Sequence, residues 1–96
     1  MGLLFEWDAR KAAQNLQRHG VSFDEAATTF GDPASLTIDH PAHFTDEDRF
    51  VILATSVRRR LLVTVFTERE DRVRIITARR ATDEERLQYE QRFQTG

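Results

Sequence analysis

The chain contains no cysteine, which excludes disulfide frameworks, thiolate-held zinc, iron–sulfur clusters and thiol nucleophiles, and fits a reducing compartment. Glycine and proline are scarce, 4 and 2 of 96 residues. They form neither a glycine-rich phosphate loop nor a G-x-S-x-G elbow, so nucleotide-cofactor and acyl-transfer enzymes are set aside. The first apolar run, Leu3 to Phe5, is too short for a signal peptide or a membrane span. A soluble, cytoplasmic protein without membrane attachment is the expectation. Lysine is nearly missing as well: Lys11 stands alone beside 13 arginines. Arginine's planar fork holds phosphate bidentately and stays charged in any pocket.

What remains is one domain's length of chain, 40% apolar and 31% charged, enough for one core without a covalent staple. A single domain over residues 1–96 is expected. The formal net charge of −2 hides a division: residues 1–48 carry 3 basic against 9 acidic side chains, residues 49–96 carry 11 arginines against 7 acidic ones. An arginine-rich half points to a polyanionic partner, although most single arginines pair with acids on solvated faces.

Asp8 is a good N-cap, strong helix formers follow, and Gly20 sits at a helix end, which predicts a helix over 9–19 with Ala12, Leu16 and His19 turned inward. Ser22 and Glu25 read as a capping box for a second helix, whose apolar face is Phe23, Ala26, Ala27 and Phe30 and whose end is Gly31-Asp32-Pro33. Four extended segments follow: Ser35–Asp39, Phe50–Ser56, Arg60–Thr67 and Arg72–Thr77, with short links that imply antiparallel hairpins. Thr82 and Glu85 cap a last helix over about 83–93 carrying Leu87, Tyr89 and Phe93. The order α-α-β-β-β-β-α is an α+β domain with helices packed on an antiparallel sheet.

Strand alternation suggests that Leu61, Val63 and Val65 meet Val73 and Ile75 in the core, which would project Arg60 and Arg74 together from the other face. Arg79 has the wrong parity for that patch and requires a bulge to join it. Paired guanidiniums can hold a scissile phosphodiester and stabilise the charge that builds on its oxygens, without a metal. An RNA substrate already carries its nucleophile, the 2′-hydroxyl. His19 and Tyr89 are the candidates for proton transfer, each with a plainer reading as a helix-end residue and a core aromatic. The loop Asp39 to Asp48 contains His40, His43 and carboxylates, but its spacing is that of a solvated acidic loop.

The segments Phe5-Glu6-Trp7-Asp8, Lys11, Asn15, His19-Gly20-Val21-Ser22-Phe23, Glu25-Ala26, Phe30 and Asp32 run in order into Glu47-x-Arg49, Val63-x-Val65-x-Thr67-Glu68-Arg69, Arg74-Ile75-Ile76-Thr77-Ala78-Arg79-Arg80-Ala81, Glu85-Arg86 and Tyr89. Together they resemble the BrnT family of type II toxin–antitoxin toxins from about Phe5 to Tyr89. The resemblance implies a RelE-like fold and a small endoribonuclease that inhibits translation and is neutralised by a BrnA-type antitoxin. It carries the catalytic positions onto Arg60, Arg74, Arg79 and His19. Arg58, Arg80 and Tyr89 are expected as adjoining substrate contacts, and no cofactor is expected. Operator DNA would be bound only through the antitoxin complex, as a dimer or heterotetramer. Where the family usually has glycines, this chain reads Ala54-Thr55-Ser56-Val57-Arg58-Arg59-Arg60; a turn there with positive φ falls on Val or Arg.

Two further readings stand beside the ribonuclease. One is a non-catalytic module that binds RNA or antitoxin through the same face. The other is a metal-dependent nuclease using His40 and His43.

Overall fold

The computed structural model describes residues 3–39 and 49–91. Five strands form one sheet in the order β1-β5-β4-β3-β2, with β1 over Leu4–Glu6, β2 over Leu36–Asp39, β3 over Phe50–Thr55, β4 over Leu61–Arg69 and β5 over Arg72–Arg80. Helix α1 spans Ala9–His19, α2 spans Phe23–Thr28 and continues as a 3-10 turn over Thr29–Gly31, and α3 spans Asp83–Gln91. The α+β class and the antiparallel run β2 to β5 agree with expectation. The additional strand, β1, lies parallel to β5 through Phe5 opposite Val73. Three residues of strand before a helix carry too little alternation to be read from sequence, and their place is fixed by Phe5 packing edge-on against Phe30 at 5.2 Å.

The sheet is covered on both faces. On one, Val21, Phe23 and Ala26 pack against Leu62, Ile75 and Ala78, and Ile52, Ala54, Phe66 and Val73 extend the same layer beneath Phe30. On the other, Leu53, Leu61 and Val63 receive Tyr89 of α3 together with Leu36 and Val51. The expected pairing of Leu61, Val63 and Val65 with Val73 and Ile75 is therefore corrected. Glu70-Asp71 is a two-residue turn that sets Arg69 opposite Arg72, and so Phe66 opposite Ile75 and Thr67 opposite Arg74. One residue of register decides which side chains share a face.

A bulge then interrupts the β4–β5 ladder: Val65 opposes Thr77 while Phe66 opposes Ile75, leaving Ile76 without a partner. Past it the register brings Arg79 opposite Val63 and Arg80 opposite Leu62.

Local signals act largely as read. Asp8 accepts from Arg10 N at 3.0 Å, Gly20 closes α1 at φ 70, and Ser22 Oγ accepts from Glu25 N at 3.0 Å. The inward stripe of α1 differs: Leu16 is 51% exposed and His19 is exposed, while Asn15 is 7% exposed. Asn15 Nδ2 donates to Ala78 O at 2.8 Å and to Val21 O at 2.9 Å, and its Oδ1 accepts from Ala78 N at 3.1 Å. The amide thus satisfies the strand groups that β5 presents beyond the end of β1, a demand that no apolar side chain meets.

Candidate functional site

The hairpin between β3 and β4 is a tight turn, with Arg59 N donating to Ser56 O at 2.9 Å and Ser56 N to Arg60 O at 2.9 Å. Its left-handed residue is Arg59, at φ 64. The glycine-free turn anticipated from sequence is therefore made by an arginine, at a cost of about 1 kcal/mol relative to glycine. The turn delivers Arg60 to Glu25, a carboxylate only 5% exposed. Arg60 Nε donates to Glu25 Oε2 at 2.9 Å, Nη2 donates to Glu25 Oε1 and to Gly20 O at 3.0 Å, and Ser56 Oγ donates to Glu25 Oε2 at 2.7 Å. Arg58 lies 3.7 Å from the same carboxylate. These partners hold the Glu25 carboxyl below its ordinary range, Arg60 above all, against the opposing pull of burial. Glu25 is an anchor for arginines rather than a proton acceptor, a role hidden behind its capping position.

Arg79 is gripped from α3. Its Nη1 and Nη2 donate to Glu85 Oε1 at 2.9 Å and Oε2 at 2.8 Å, and Nη1 also donates to Arg80 O at 3.2 Å. Glu85 completes its capping box at the same time, accepting from Thr82 N at 2.8 Å while Glu85 N donates to Thr82 Oγ1 at 3.1 Å. Chiefly through Arg79, the Glu85 carboxyl is drawn down to about 2. Arg74 donates to Glu6 Oε2 at 3.3 Å, and Arg72 to Glu6 Oε1 at 3.5 Å.

The register places Arg74, opposite Thr67, and Arg79, opposite Val63, on the face that carries α3. The bulge required by parity is present. Arg60, by contrast, is turned to the helices α1 and α2, so the expected sharing of one face by Arg60 and Arg74 does not occur. Five residues at about 3.3 Å each put Arg74 about 16 Å along β5 from Arg79, enough for different phosphates rather than one.

What the fold does gather is one end of the sheet. Ala81 N donates to Leu61 O at 2.9 Å, so Arg79 and Arg80 finish β5 beside the Arg58–Arg60 turn, and the bond from Arg60 to Gly20 O brings in the end of α1 next to His19. Arg59 and Arg80 have no carboxylate partner among the described residues. His19 lines a groove of about 480 Å³ between α1 and β5. Tyr89 closes a structural knot: its hydroxyl donates to Asp32 Oδ2 at 2.6 Å and accepts from Thr55 Oγ1 at 3.3 Å.

Among the described residues no group of three potential ligands is arranged around a metal position. His40 and His43 lie outside the described residues. Among the described residues, too, no helix is long and apolar enough to cross a membrane.

The α+β fold itself is shared with a protein of known structure. The chain superposes on the crystal structure of the Brucella abortus ribonuclease toxin, BrnT, with a TM-score of 0.63 over 85% of this chain and 100% of that one, at 16% identity. The profile of the ribonuclease toxin BrnT of type II toxin–antitoxin systems matches residues 7–85, and the chain belongs to that family. No curated protein matches it in sequence.

Proposed function

We propose that this chain is a metal-independent endoribonuclease that cleaves RNA, thereby inhibits translation, and is neutralised by a BrnA-type antitoxin. The observation that carries the reading is the gathering of Arg58, Arg60, Arg79, Arg80 and His19 at one end of the sheet. There Arg60 and Arg80 on the α1–α2 side and Arg79 on the α3 side meet over the end of the sheet, hold the scissile phosphodiester between them and stabilise the charge developing on its oxygens. Arg60 Nη1 has no partner among the described residues, although Nε and Nη2 are engaged. The RNA 2′-oxygen attacks phosphorus, the 5′-oxygen leaves, and the products are a 2′,3′-cyclic phosphate and a 5′-hydroxyl. His19 is the group at hand to move the proton. Arg74 contacts a neighbouring phosphate, and Tyr89 supports the site by fixing α3.

A second reading, a non-catalytic module that binds RNA or antitoxin, is favoured by one feature: Arg60, Arg74 and Arg79 each already face a carboxylate. In either reading the chain acts in the cytoplasm as a single domain. It meets operator DNA only within an antitoxin complex, as a dimer or heterotetramer.

Induced expression tests the proposal. The chain alone should arrest growth, and co-expression of its antitoxin, or the Arg79→Ala change, should restore it. Normal growth of cells containing soluble wild-type protein removes the toxin reading and leaves the binding module.

A further inference from the structure

Helix α1 carries Arg10, Lys11 and Arg18 and no acidic residue. Lys11, Arg18 and His19 line the groove between α1 and β5, with Gln14, Gln17 and Thr77 as neutral hydrogen-bonding groups, and no acid borders it among the described residues. None of these three basic side chains has a carboxylate partner among the described residues. That contrasts with Arg60, Arg74 and Arg79, each of which faces one. The uncompensated positive charge of the molecule therefore includes this groove, in the half of the sequence that is acidic by count.

We propose that the α1–β5 groove is a binding track for the phosphodiester backbone of single-stranded RNA, with Lys11 and Arg18 as its phosphate contacts. The proposal rests on the ribonuclease reading and extends it from the cleavage end to the path of the substrate. Lys11 and Arg18 are two helical turns apart on one side of α1, about 10 Å at 1.5 Å per residue, so each meets a different phosphate. The groove runs to His19, beside the Gly20 carbonyl that receives Arg60, so a strand lying along α1 is led to the arginine cluster.

An added peptide strand is the less suitable occupant. Asn15 already takes both backbone groups of Ala78 at the β5 edge, and a peptide pairing there would have to displace a buried amide. Recognition in this groove must come from side chains, and the charged ones are cations.

The test uses the full chain and a 2′-O-methyl RNA oligonucleotide, which cannot be cleaved, with binding followed by fluorescence anisotropy across a salt series. For single strands, each phosphate contact contributes about 0.7 to the slope of log K against log salt. Lys11→Ala/Arg18→Ala should lower that slope by about 1.4 and weaken binding at least about tenfold at low salt. Arg10→Ala, on the same helix but outside the groove, should leave the slope unchanged. Thermal unfolding of each variant confirms that α1 persists.

Equal slopes for wild type and double variant, in a protein that still cleaves unmodified RNA, overturn the track and leave the ribonuclease standing. A wild type that neither binds nor cleaves RNA overturns both.

Discussion

Replacing Glu25 by glutamine preserves shape and removes the charge on which Arg58, Arg60 and Ser56 converge. Breaking a fully buried pair costs about 3–5 kcal/mol because the surviving charge is stranded. Here the Arg60 side chain is 22% exposed and can recover part of its hydration, which reduces the expected loss to about 2–3 kcal/mol. In a domain of this size each kcal/mol moves Tm by about 4–8 °C, so Glu25→Gln should melt about 8–24 °C lower. Circular dichroism melts and urea titrations read this directly.

The pH dependence has a definite sign. The Glu25 carboxyl is depressed in the folded protein, so its stabilisation is present above the ordinary carboxylate range and is lost as pH falls through the folded value. The gap between wild type and variant should therefore close on acidification, yet persist in high salt because the pair is poorly screened. A Tm change below about 2 °C at neutral pH would show that the cluster does not anchor the hairpin.

Arg59→Gly relieves a left-handed arginine and should raise Tm by a few degrees, from about 0.5–1 kcal/mol; a lower Tm refutes the assigned turn. Asn15→Ala leaves Ala78 N–H and C=O unpaired and should lower the urea midpoint by the equivalent of about 2–4 kcal/mol at unchanged m-value; a neutral effect means that water replaces the amide. Glu85→Gln should remove a stabilising contribution that in wild type is present above about pH 4.5 and fades towards about 2. Wild type and Glu85→Gln should converge in acid, and parallel curves would contradict the Arg79 pairing.

The helices were legible because their ends are marked by local chemistry: Asp8, Gly20, Ser22 and the Thr82–Glu85 box act within a few residues of chain. The strands were legible from their β-branched runs, and Arg79's parity alone called for a bulge. Faces and partners were another matter. Which arginines share a side depends on the length of the Glu70-Asp71 turn and on the position of Ile76, neither of which alternation determines.

Charge was misleading for a related reason. The excess of arginine after residue 48 is met across the fold by acids from the first half, Glu25 on Arg58 and Arg60 and Glu6 on Arg72 and Arg74. The three basic residues of the acidic half all sit on α1, where no neighbouring helical acid answers them. Leu16 was expected in the inward stripe, but the β5 edge takes the amide of Asn15 instead. The one available sequence signal was a polar residue interrupting the inward face.

Cleavage of RNA at the proposed arginine site should need no metal. Purified chain, freed of antitoxin, should be incubated in EDTA with an RNA and with the same RNA carrying a single 2′-deoxy substitution at the mapped cut. The first should be cleaved to a 2′,3′-cyclic phosphate end, the second should lose that cut, and Arg79→Ala should lose most activity. Cleavage abolished by EDTA, or a cut unaffected by the 2′-deoxy substitution, would contradict this mechanism.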